Sequence, residues 1–192
     1  MNLLTNTNQK IKKTGKMNGV RLYEFNLPAV SSCPFADDCK EYCFADKGRY
    51  LMPNVQDKYS FNFELTKNLD EFKSIIQDEL ESKKVEYVRI HSSGDFYSLK
   101  YLKTWVEIAR SNPNIVFYGY TKSVPLFKHI TAPENFVFCF STGGKKDDMI
   151  KDTDKKAVIF DSMDELKQAG YTNCTENDMA MIEADKIGLV YH

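Results

Sequence analysis

The sequence predicts one α/β domain over residues 1–192, built on a mostly parallel sheet with alternating helices. Three observations carry that prediction. Strand-like and helix-like segments alternate along most of the chain, the pattern of β-α-β units. The turns that follow the candidate strands are rich in Ser, Thr, Gly and Asp, as binding turns at the carboxyl ends of parallel strands are. Finally, 192 residues with 42% apolar and 13% aromatic content suffice for one well-filled core without disulfide support.

After a polar, lysine-bearing start over Asn6 to Asn18, Val20-Arg-Leu-Tyr-Glu-Phe25 alternates apolar and polar residues like a half-buried strand, and Asn26-Leu-Pro28 ends it. A cysteine-bearing loop follows. From Asn54 to Asn68, Val55, Tyr59 and Phe63 fall four apart, and Leu69, Phe72, Ile76 and Leu80 repeat at three or four, so two successive helices are expected. Asp70 and Glu71 suit the first turn of the second.

Val85 to His91 reads as a strand running into the polar turn Ser92-Ser-Gly-Asp-Phe96. A helix then carries the stripe Leu99, Leu102, Val106 and Ala109, flanked by Trp105, and Asn112-Pro-Asn114 stops it before the strand Ile115–Tyr120. The pattern recurs: a turn and short helix over Thr121–His129, a strand over Phe136–Phe140, a turn over Ser141–Gly144, a strand over Ala157–Phe160 and a helix from Met163 to Ala169. Lys186 to His192 closes the chain as a last strand.

Lysine and arginine (26) nearly cancel aspartate and glutamate (27), so the basic excess of a phosphate-backbone binder is missing and nucleic acid is not the favoured partner. No apolar run approaches the ~18 residues that span a bilayer, and Met1-Asn-Leu-Leu-Thr-Asn-Thr7 lacks the form of a signal peptide. The expectation is a soluble protein with no membrane partner, in the cytoplasm. Five cysteines, an odd number, fit a reducing compartment better than a disulfide framework.

Three of them crowd into Cys33-Pro-Phe-Ala-Asp-Asp-Cys39-Lys-Glu-Tyr-Cys43, and this C-x5-C-x3-C spacing lets one loop wrap three sulfurs around a single centre. Thiolates on a loop with charged and proline neighbours point to a metal rather than to core packing. Zinc generally wants four protein ligands, whereas a cubane cluster can use three thiolates and leave one iron open, so a [4Fe-4S] cluster is expected and zinc is the alternative. Cys174, in the polar run Tyr171-Thr-Asn-Cys-Thr-Glu-Asn-Asp178, is a candidate fourth metal ligand, and His192 another; Cys139 within Phe-Val-Phe-Cys-Phe140 reads as core. Ser93, Gly94 and Asp95 offer donors and an acceptor to a small polar ligand, against a reading as helix cap and turn. Lys122 and Ser141 end the next two strands on the same rim. Gly143-Gly-Lys-Lys lacks the leading glycine of a phosphate loop, so nucleotide hydrolysis is disfavoured.

Cys33 to Tyr50, Pro53-Asn-Val55, Arg89-Ile-His-Ser-Ser-Gly-Asp-Phe96 and Tyr118-Gly-Tyr-Thr-Lys-Ser123 together resemble the phage gene product 88 domain family over most of the chain. That resemblance implies a phage or prophage origin, hence host-cell cytoplasm, and a cluster loop, without assigning a reaction. The same residues also look like a shortened radical S-adenosylmethionine domain. The cysteine loop follows the first strand, an aromatic (Tyr42) precedes its last cysteine, and a Gly-Asp turn follows the next strand. This second resemblance implies an incomplete (β/α) barrel and an open iron that chelates S-adenosylmethionine, with Gly94 and Asp95 near its amino group. Such domains usually carry C-x3-C-x2-C, and this loop is longer. Two functions are therefore expected: an enzyme acting on a small ligand held by Ser93, Gly94, Asp95, Lys122 and Ser141, or a non-catalytic cluster or zinc module that binds a host or phage protein.

Overall fold

In a computed structural model that describes residues 2–41 and 43–190, seven strands build one sheet, accompanied by six α-helices. Chain order is α1 (Gln9–Asn18), β1 (Leu22–Phe25), α2 (Pro53–Leu65), α3 (Leu69–Ser82), β2 (Tyr87–Ile90), α4 (Leu99–Ser111), β3 (Val116–Thr121), α5 (Val124–Phe127), β4 (Phe136–Ser141), β5 (Lys156–Phe160), α6 (Met163–Gln168), β6 (Thr172–Asn173) and β7 (Lys186–Val190). The strands lie in the order β1-β2-β3-β4-β5-β7-β6 and every neighbouring pair is parallel. The sheet does not close: β1 and β6 remain its two edges. All the carboxyl ends therefore share one rim, as the alternating pattern requires.

Two elements escape the sequence pattern. Helix α1 forms from Gln-Lys-Ile-Lys-Lys-Thr-Gly-Lys-Met-Asn, where only Ile11, Thr14 and Gly15 are buried. It is held by its ends: the Asn8 side chain accepts from Lys10 N, and Gly19, at φ 66°, turns its N–H back to Gly15 O and Lys16 O. Strand β6 is two residues long, too short to show a period. By contrast α3 and α4 are plain in the sequence and carry the expected caps, Asn68 accepting from Glu71 N and Ser98 from Tyr101 N.

Alternation along the strands gives the sheet two unlike faces. Phe25, Val88, Ile90, Phe117 and Phe136 point to one, where α3 and α4 add Phe72, Ile76, Leu80, Leu102, Val106 and Trp105. Trp105 is not at the edge of the helix stripe but at its centre, fully buried, with its ring 5.3 Å from Phe72 and 5.4 Å from Phe25. The other face carries Leu22, Tyr118, Cys139, Ala157 and Ile187 under α1 and the 3-10 turn Asp178–Ile182. Among the described residues no helix is long and apolar enough to cross a membrane.

Candidate metal centre at the carboxyl rim

The rim is a series of turns tied to one another. Gly94 stands at φ 84°, and a Cβ there would lie 2.6 Å from both Leu27 Cβ and Ser32 Oγ, so only glycine lets the β2 turn meet the start of the cysteine loop. Beside it Ser93 N donates to Asn26 Oδ1 (3.0 Å) and Ser93 Oγ to Leu27 O (2.8 Å), binding the ends of β1 and β2. Asp95 is 5% exposed. Its Oδ1 accepts from Phe96 N and Thr121 Oγ1, both at 2.7 Å, and its Oδ2 from Lys122 N at 2.8 Å. Lys122 Nζ in turn donates to Ser141 Oγ (3.0 Å), Ser141 O and Thr142 O. The structure thus brings Ser93, Gly94, Asp95, Lys122 and Ser141 together, with their polar atoms engaged largely by one another.

The cysteine loop lies across these turns. Ala36 and Gly144 form an antiparallel bridge, Lys145 N donates to Phe35 O at 2.9 Å and Cys39 N to Gly143 O at 3.5 Å. Asp147 holds the partner turn by accepting from Gly143 N and Gly144 N. Two non-glycine residues in the left-handed region, Val30 (φ 62°) and His91 (φ 62°), flank the site. For β-branched Val30 this conformation is strained, and strain of that kind collects where a loop is held for a purpose.

Cys33, Cys39 and Cys43 are unpaired and half-buried. Burial, then the Asp95 carboxylate, pushes the Cys33 thiol up to about 12, and Cys43 and Cys39 add to the rise. Burial also raises Cys43, with Cys39 and Asp46 adding and backbone N–H donors opposing. The three sulfurs thus lie within electrostatic reach of each other. Among the described residues, however, no three His, Cys, Asp or Glu side chains are grouped closely enough to hold a metal ion. The donor chemistry fits a cluster, since three soft thiols share one loop, but ligation requires the loop to draw its sulfurs inward. Tyr42 and His192 lie outside the described residues.

Cys174 is not in an exposed polar turn. It is fully buried, its N–H donating to Gly188 O at 3.0 Å, in the same core as Cys139 and Met181. Thr172 and Asn173, the two residues of the edge strand β6, are exposed, while Cys174, directly after that strand, is enclosed by the core. Its electrostatic neighbours are Asp178, Lys10, Tyr120 and Lys155. His91 is likewise a core residue. Its Nε2 meets Tyr101 Oη at 2.8 Å, Phe96 packs on its ring, and burial holds its pKa well below the usual imidazole range.

Sequence reading missed a buried polar group on the second face of the sheet. Glu24 and Arg89 are register partners on β1 and β2, 2% and 6% exposed. Arg89 Nε donates to Asp178 Oδ2 at 2.8 Å and Nη1 to Ile90 O and His91 O, while Lys10 pairs with the other oxygen of Asp178 at 2.8 Å. The Arg89 guanidinium stacks over Tyr120 (4.8 Å to the ring centre) and Tyr118 (5.8 Å). Tyr59 from α2 accepts from Asn26 Nδ2 at 3.1 Å, and Tyr50 packs beside it. The available signal was a charge inside each of two strands of a parallel sheet, where both faces are normally apolar.

Comparison with known proteins places these features. The chain is 25% identical over 169 residues to the Gene 88 protein of Mycobacterium phage L5, covering 78% of this chain and 71% of that protein. It is 24% identical to the Gene 88 protein of Mycobacterium phage D29, over 66% of this chain and 58% of that protein. No solved structure matches. The Gene product 88 family matches residues 2–189, nearly the whole of the rim, sheet and helices described above, and the chain belongs to that family.

Proposed function

We propose that this is a phage-type iron–sulfur protein in which Cys33, Cys39 and Cys43 hold a [4Fe-4S] cluster at the carboxyl rim, and that it is an enzyme acting on a small ligand at the open iron. The observation that supports this reading is the loop itself: three unpaired, half-buried thiols within electrostatic reach, lying across the turns of β2, β3 and β4. Three thiolates leave one iron of a cubane without a protein ligand, and Cys174, enclosed in another part of the core, favours a three-thiolate site over a four-thiolate one. The cluster, when bound, supplies one-electron and Lewis-acid chemistry at that iron.

The chain's own residues prepare the site. Burial, and after it the neighbouring Asp95, disfavours the Cys33 thiolate in the metal-free protein, so the proton leaves as metal binds and loading strengthens with rising pH. Ser93, Gly94, Asp95, Lys122 and Ser141 form the floor of the ligand site, Asp95 and Lys122 acting as positioning residues through the turns they tie. The small ligand in this reading is S-adenosylmethionine, and the reducing host cytoplasm is where such thiols and cluster persist. Electron paramagnetic resonance of the reduced, cluster-loaded protein with and without S-adenosylmethionine tests it. A changed spectrum is expected, and an unchanged spectrum on an intact cluster overturns the open-iron reading.

A second reading, a non-catalytic cluster or zinc module that docks a host or phage protein, is favoured by Phe44, Leu51 and Met52. These are 64%, 54% and 50% exposed on the segment directly after Cys43. Zinc bound without iron after anaerobic purification would support that reading over the first.

A further inference from the structure

We infer that the polar face of the sheet, around Arg89, Tyr118 and Tyr120, is a binding site for the carboxylate of a small molecule. The first ground is a pair of hydroxyls. Tyr118 is fully buried, and neither its hydroxyl nor the buried hydroxyl of Tyr120 has a hydrogen-bond partner among the described residues beyond the Cys174 thiol near Tyr120, a weak acceptor. A buried hydroxyl left unpaired is costly, so such groups are normally matched by water or by a ligand.

The second ground is what surrounds them. Both rings lie against the Arg89 guanidinium, whose Nε and Nη1 are held by Asp178, Ile90 and His91. Two unpartnered phenol hydroxyls on one strand thus flank a buried guanidinium, a setting suited to an oxyanion. Arg89 and Lys10, two cations, share the single carboxylate of Asp178.

The third ground is that folding alone does not call for this arrangement, because a buried ion pair is often no better than an apolar replacement of the same volume. The site needs no metal, so it stands or falls separately from the cluster reading.

The test is a titration of the full-length protein, labelled with carbon-13 at its tyrosine rings, with sodium acetate and with inorganic phosphate at constant ionic strength in chloride. Tyr118→Phe and Tyr120→Phe assign the two signals. Saturable movement of both signals with acetate is expected, with affinity at least about tenfold lower in Arg89→Met. Tyr118→Phe, which keeps the ring, is expected to leave Tm in acetate-free buffer unchanged or higher while weakening acetate binding. Arg89→Lys retains the charge should the methionine variant fail to fold. The inference is overturned if neither signal moves, if phosphate moves both as well as acetate does, or if Tyr118→Phe lowers Tm in acetate-free buffer.

Discussion

The turns of β2, β3 and β4 and the cysteine loop laid across them occupy the same rim, yet they are built on opposite terms. In the turns nearly every polar atom has a protein partner: Asp95 accepts three hydrogen bonds, Lys122 Nζ donates to three oxygens, and Gly94 fits because it has no side chain. In the loop the main chain is pinned at Ala36 and Phe35, but the thiols are unpaired, Val30 is strained and Phe44 faces solvent. Groups already satisfied by each other are scaffold. Capacity for new bonds lies with the thiols, and the turns set where the loop can put them.

That contrast can be broken from the scaffold side. Gly94→Ala combines a positive φ with two contacts of 2.6 Å and should cost about 4 kcal/mol, read as a shift in urea midpoint. Asp95→Ala leaves Phe96 N, Thr121 Oγ1 and Lys122 N without their acceptor, with an expected loss of about 3 kcal/mol. An Asp95→Ala variant as stable as the parent would mean that the carboxylate is free for a ligand. Lys122→Met keeps the stem and loses only the ammonium contacts, and about 1 kcal/mol is expected from the same unfolding curves. The loop should behave differently. Cys39→Ser is expected to change metal-free stability by less than about 0.5 kcal/mol while abolishing metal loading.

The Cys33 thiol sharpens the comparison through pH. Its folded pKa, about 12, lies above that of the unfolded chain, so the folded state prefers the protonated form. Stability from this group is complete below the unfolded thiol value and declines as pH rises from about 9 towards 12. Urea titrations of the metal-free protein across that window should show the decline, and Cys33→Ser should flatten it.

Much of this fold was legible because its periods are long and clean. Helix α4 and strands β2 and β3 declare themselves through Leu102, Val106, Val88, Ile90 and Phe117, and the parallel sheet follows from their alternation with helices. The cysteine loop was legible from spacing alone. What sequence could not show depends on contacts far apart in the chain. Helix α1 has little apolar periodicity and rests on its caps and on Gly15 packing against Leu22. Lys122 and Asp95 look like ligand-binding residues until their partners, 19 and 27 positions away, are known. Cys174 sits among polar residues and still lies in the core, because its main chain is tied to Gly188 on β7, a partner 14 positions away. The Glu24 and Arg89 pair needed the register of β1 on β2 before it could be seen as one group.

The direct measurement is iron, sulfide and zinc content after anaerobic purification, made side by side on the parent and on a variant carrying Cys33→Ser, Cys39→Ser and Cys43→Ser. About four irons and four sulfides per chain in the parent, and none in the variant, is the predicted result. Iron and sulfide retained in the triple variant, or zinc alone in the parent, would contradict a cluster held by this loop.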